Sequence, residues 1–192
     1  MKLIKQAMLA LVMLAWLPLA QAEELTDNDV QRWLKAMPTL TSWLEQHDDK
    51  LGGDSVMQES ETMDQVFEKG VEQLRKEGLY DDFNKQAKQQ GFASVEEWAT
   101  VSRDISLAFM AIELQDNPAS EAQMQAQLEQ LSQAEGIPAE EKAMMEGMMK
   151  ASIMMVKAAK QVPANNIKIV KAHADEIARQ FNEDDGEHDH DH

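Results

Sequence analysis

The stretch Ala143–Lys160, AMMEGMMKASIMMVKAAK, holds six of the chain's 14 methionines: Met144, Met145, Met148, Met149, Met154 and Met155. Set on a helix at about 100° per residue, Glu146, Lys150 and Lys157 share one narrow sector. Nearly everything else on the circumference is apolar or small. A surface helix shows an apolar stripe, whereas a helix that is apolar almost all round is expected to be surrounded by other elements. Gly147, Ala151, Ser152, Ala158 and Ala159 would let neighbouring backbones approach. The stretch therefore predicts an all-α protein with this methionine-rich helix at its centre.

The flanking segments read as helices too. Upstream, Ser94 caps and Glu97 closes a capping box. The helix they open carries Val95, Trp98, Val101, Ile105, Phe109 and Ile112 on one face and is a second candidate for the core. Asn117-Pro118 then starts a polar, Gln-rich helix with Met124, Leu128 and Leu131, expected on the outside. Downstream of Pro163, Asn165 or Asn166 is expected to cap one last helix. Its apolar residues Ile167, Val170, Ala174, Ile177 and Phe181 step by three and four.

Nearer the N-terminus, Thr26 is the cap of a helix bearing Val30, Trp33, Leu34 and Met37, with Asp29 three residues on. Pro38 is expected to end or kink it. Leu40, Trp43, Leu44 and Leu51 continue the apolar face to Gly52-Gly53. Met63, Val66, Phe67, Val71 and Leu74 form a further helix closed by Gly78, and Tyr80, Phe83 and Ala87 a short one closed by Gly91. Both glycines stand where a left-handed helix terminus wants them. Trp33, Trp43 and Trp98 all sit on apolar helical faces, as core residues do. No segment alternates apolar and polar residues, so no strand is expected. The expectation is one helical-bundle-like domain of seven to eight helices over residues 23–181.

Residues 1–22 have the layout of a cleaved signal peptide: Lys2 and Lys5, an apolar run from Ala7 to Leu19, and the small-residue site Ala20-Gln21-Ala22. The expected destination is the periplasm. The apolar run is shorter than the roughly 20 residues of a membrane-spanning helix, and no second one follows, so no membrane insertion is expected after cleavage. The formal charge is −17, and −19 once Lys2 and Lys5 leave. Such a polyanion repels phosphate backbones, which disfavours nucleic acid, and favours cations or basic protein segments.

Residues 182–192 contain nothing to bury and read as a disordered acidic tail. Its end, EDDGEHDHDH, alternates His188, His190 and His192 with Asp189 and Asp191. Imidazole suits Zn, Cu and Ni, and carboxylates add oxygen ligands, so these five residues are the candidate metal site. Elsewhere, His47 stands in a polar stretch, and His173 is expected to pair with Glu176 three residues on.

The methionine cluster carries three readings: core packing, a Cu(I) site built from thioethers, or an adaptable apolar surface. The last would use Met145, Met148, Met149 and Ile153 in a chaperone-like or apolar-ligand-binding protein. There is no H-E-x-x-H, no G-x-S-x-G and no phosphate-binding glycine loop, and without cysteine there is no thiol chemistry. The chain is thus expected to be a periplasmic binding or interaction protein rather than an enzyme. It requires no cofactor, and its partners would be transition-metal ions held by the tail or another periplasmic protein.

Overall fold

The computed structural model describes residues 24–51, 56–57, 60–116, 121–134 and 136–184. Among them are nine helices: α1 (Asp27–Glu45), α2 (Asp48–Leu51), α3 (Met63–Lys76), α4 (Tyr80–Gln89), α5 (Val95–Asp116), α6 (Glu121–Gln133), α7 (Ala139–Ala159), α8 (Ala164–Ala172) and α9 (Ala174–Asp184). No strand occurs among the described residues. The expected signal peptide, the Gly52-Gly53 break, the Asn117-Pro118 cap and the tail from residue 185 lie outside them.

The helices begin and end as their chemistry requires. Thr26 and Asp29 form a reciprocal capping box at the start of α1. Ser94 Oγ accepts from Glu97 N–H at 3.3 Å, while the Glu97 carboxylate accepts from Ala93 N–H. At Gly78 and Gly91 φ is +70° and +90°. There the amides of Leu79 and Phe92 reach back to the carbonyls of Leu74 and Ala87, the signature of a Schellman terminus.

The centre is α5, not the methionine helix. It packs against α1, α3, α4, α7 and α8. Its buried residues Val95, Ala99, Val101, Ser102, Ile105, Ala108, Ala111 and Ile112 cover about two-thirds of its circumference. Around it stand Trp33, Leu40 and Phe83, each fully buried. Phe83 packs between Trp43 and Trp98 at centroid distances of 4.7 and 5.0 Å. Trp33 donates from Nε1 to the buried Ser102 hydroxyl at 3.0 Å, which satisfies two polar groups inside the core.

The methionine helix α7 packs on α5, but only Val156 and Ala159, near its C-terminal end, are buried. The expectation that it forms the centre fails because apolar composition all round does not separate a buried helix from one with an open face; among the described residues every buried hydrophobic side chain is Leu, Ile, Val, Ala, Phe or Trp, and none is Met. The Gln-rich α6 has no buried residue and packs on α7, as expected of an outer helix.

Three boundaries also differ. Pro38 lies exposed within a continuous α1. It removes one helical donor, and burial of Trp33, Ala36, Leu40 and Trp43 on both sides outweighs that loss. The last helix is two, turned at His173. It starts at Ala164 without a side-chain cap because the asparagines are used elsewhere: Asn166 Oδ1 accepts from Leu25 N–H at 3.1 Å and Asn165 donates to Glu24 at 3.2 Å. Finally, α9 continues to Asp184, past the expected start of the tail at Asn182.

Candidate functional site

Helices α6 and α7 form a hairpin tied near both ends. Lys142 Nζ donates to the carbonyls of Ser132 and Ala134, at the C-terminal end of α6. A lysine there complements both the orphan carbonyls and the negative helix end. At the opposite end Lys160 Nζ stands 3.5 Å from Glu121 at the start of α6. Met124, Leu128 and Leu131 of α6 are half-buried.

On α7 the methionines divide by face. Met144, Met148, Met155 and Ala159 fall within about 60° of one another on a helical projection. This stripe is closed at its C-terminal end, where Ala159 is buried, and open some 22 Å away, fifteen residues back at 1.5 Å per residue. There Met144, Met145 and Met148 are 52%, 40% and 64% exposed. Of the expected apolar set, the structure brings Met145 and Met148 together on this open face. Met149 and Ile153 are half-buried on the side of Lys142, the side turned toward α6. Met144 completes the face and was not in that set. Its signal was available, since it stands one helical turn before Met148. Glu140 and Glu141 of the first turn border a shallow hollow that reaches Met144.

A second feature is a cleft of about 870 Å³ between α3, α5, α7 and the turn into α8. Its floor includes Phe67, Val71, Leu107 and Met154. Its charged groups hold one another: Arg103 bridges Asp64 at 2.6 Å and Asp104 at 2.8 Å. Burial alone would lower the Arg103 pKa, but the two carboxylates outweigh it and the guanidinium is held more firmly charged. At the rim, Glu96 accepts from the Tyr80 hydroxyl at 2.9 Å and from the Arg75 guanidinium. Burial tends to raise the Glu96 carboxyl. Hydrogen bonds from the Ser94 hydroxyl, its own backbone and Tyr80, together with the Arg75 charge, hold it below the usual carboxylate range. The Tyr80 hydroxyl is pushed up by burial and by that carboxylate. These groups join α3, α4 and α5 to one another.

The remaining expected site residues fall elsewhere. His173 does not pair with Glu176; its Nε2 donates to Asp27 at 2.6 Å, joining the turn between α8 and α9 to the start of α1. His47 stacks on Trp43 at 4.1 Å and donates from Nδ1 to the Trp43 carbonyl. His188, Asp189, His190, Asp191 and His192 lie outside the described residues. Among the described residues no group of three or more His, Asp or Glu side chains is placed to hold a metal ion, and no helix is long and apolar enough to cross a membrane. No family model, no curated protein and no solved structure matches the chain.

Proposed function

We propose that this chain is an exported, non-catalytic binding protein that holds apolar, basic segments of other polypeptides on the open methionine face of the α6–α7 hairpin. The observation that carries the reading is the exposure of Met144, Met145 and Met148. Among the described residues they are three of the four exposed large hydrophobic side chains, the fourth being Phe181. Scattered apolar residues at a surface need no explanation, but a contiguous group marks a contact site. Methionine suits this use because its unbranched, polarisable side chain repacks against partners of different shape. The formal charge of −17 selects the partner: basic flanks are attracted, while phosphate backbones and anionic headgroups are repelled. Glu140 and Glu141 place part of that charge beside the methionines. An amphipathic helix laid along α7 is the matching mode of recognition. The leader-like residues 1–22 support export to the periplasm.

Calorimetric titration with a synthetic amphipathic Leu/Lys peptide tests the reading. The M144Q/M145Q/M148Q variant should bind at least about tenfold more weakly, or about 1.4 kcal/mol. A Leu/Glu peptide should bind poorly to both proteins. Equal affinity of the variant and the parent chain for the Leu/Lys peptide would sink the proposal.

A second reading concerns the tail, where the alternation of His188, His190 and His192 with Asp189 and Asp191 supports capture of Zn(II), Cu(II) or Ni(II). Metal titration of the full chain beside a chain ending at Asp184 tests it. Binding should appear only in the full chain and fade as pH falls through about 6.5, where imidazole protonates. Identical titrations of the two chains would remove the tail from consideration.

A further inference from the structure

The same three methionines differ from every other described methionine in how far the side chain is exposed. Met144, Met145 and Met148 are 52%, 40% and 64% exposed. Met37, Met57, Met63, Met110, Met124, Met149, Met154 and Met155 are all half-buried. Thioether oxidation needs an oxidant to collide with the sulfur lone pair, so at equal intrinsic reactivity exposure sets the order of attack. Three exposed methionines within five residues of one helix, and none among the buried core side chains of the described residues, concentrate this reactivity in one patch.

We propose that Met144, Met145 and Met148 form an oxidant-responsive modification site, whose sulfoxidation by hydrogen peroxide or a hypohalous acid closes the apolar face of the hairpin. With peroxide the O–O bond breaks and one S–O bond forms. The sulfur gives up two electrons and becomes a sulfoxide. The other peroxide oxygen leaves as water, taking both protons. The product carries a strong S=O dipole where an apolar thioether stood. A partner segment would then have to desolvate that dipole without gaining a hydrogen bond for it, which is costly. The reaction is reversible by a thiol-dependent sulfoxide reductase, so it can act as a switch.

The placement lets the switch work without unfolding the protein. Among the described residues the core around α5 contains no buried methionine. The hairpin is tied at its ends by Lys142 to the α6 carbonyls and by Lys160 to Glu121, contacts that involve no sulfur. Oxidation at the open face therefore changes the chemistry of a surface and leaves the packing of the bundle in place. The location of the modified residues stands on exposure alone; the effect on binding rests on the function proposed above.

Graded peroxide treatment of the full chain, followed by peptide mass spectrometry, gives a rate for each methionine. Met144, Met145 and Met148 should oxidise at least about threefold faster than Met63, Met110, Met149, Met154 and Met155, with the helical circular dichroism unchanged. Nile red, a neutral apolar probe, should bind before treatment, lose binding as these three oxidise, and regain it after a reductase and a dithiol are added. The M144L/M145L/M148L variant should bind the probe and no longer respond to peroxide. Equal rates at all described methionines would overturn the modification site. Selective oxidation with undiminished probe binding would overturn the switch. Absence of probe binding before oxidation would overturn the switch and the proposed binding function together, while the measured rates still judge the site.

Discussion

Helices α5 and α7 are nearly the same length and similarly apolar, yet they do opposite things. On α5 the buried apolar positions are held by Val, Ile and Ala, whose short or branched side chains share one core with Trp33, Leu40 and Phe83. On α7 Met supplies six of the eight apolar residues larger than alanine, and the N-terminal half of the helix extends beyond the core packing. Stiff side chains define one packed arrangement; methionine, with three rotatable bonds, defines many. The difference teaches that which apolar residue is used, rather than how many, separates the frame of this protein from its contact surface.

The largest effect should come from setting one cavity against one truncation. Phe83 is fully buried between two tryptophans, so Phe83→Ala should cost about 3–5 kcal/mol in urea unfolding. Met148 is 64% exposed, and Met148→Ala should change stability by about 0.5 kcal/mol or less. Similar costs for the two would break the distinction between frame and surface.

The tryptophans sharpen it inside the core. Trp33 donates to buried Ser102, and Trp33→Phe removes that donor as well as ring volume. It should cost about 1–3 kcal/mol, more than Trp98→Phe, because the buried Nε1 of Trp98 has no hydrogen-bond partner among the described residues. If Trp98→Phe proves the more damaging, ring packing against Phe83 matters more than polar satisfaction.

The two carboxylates on Arg103 divide the same way. The Asp104 side chain is 13% exposed and that of Asp64 is 68% exposed. Asp104→Asn should cost about 1–3 kcal/mol, as expected of a partly buried charged hydrogen bond. Asp64→Asn should cost about 1 kcal/mol at most, since solvent screens it. Equal losses in denaturant unfolding would place both pairs at the surface.

These contrasts also explain how much could be read from residue order. Helical class, the Thr26 cap, the glycine termini at Gly78 and Gly91, and the apolar face of α5 are local signals, each settled within a few residues. What was not local was not legible. The burial of Asn166 depends on Leu25, 141 positions away, and the partner of His173 is Asp27, 146 positions away. The place of α7 is not legible for the same reason: its periodicity is that of an apolar helix, and only the point where the bundle stops covering it tells which of its methionines face water. The surface set of Met145, Met148, Met149 and Ile153 followed a spacing, whereas the open face of Met144, Met145 and Met148 follows from where α6 lies.

The smallest effect tests whether the first turn of α5 behaves as frame or as surface. Glu96 joins Arg75 of α3 and Tyr80 of α4 to α5, but its side chain is 45% exposed. Its carboxyl is held below the ordinary value of 4.5: burial opposes this, and the hydrogen bonds and Arg75 outweigh it. A carboxyl that is more acidic when folded stabilises the fold fully above its unfolded pKa. That contribution is lost as pH falls through the lower, folded value. Glu96→Gln should therefore cost about 0.5 kcal/mol at neutral pH, a figure reduced for solvent screening. The gap to the parent chain should narrow once the pH drops below about 4. Urea unfolding of both proteins across that window measures it. A gap that persists undiminished in acid would mean that the contribution of Glu96 comes from packing and neutral hydrogen bonds, making this turn part of the frame. A gap that closes would make it an electrostatic clasp at the edge of the cleft.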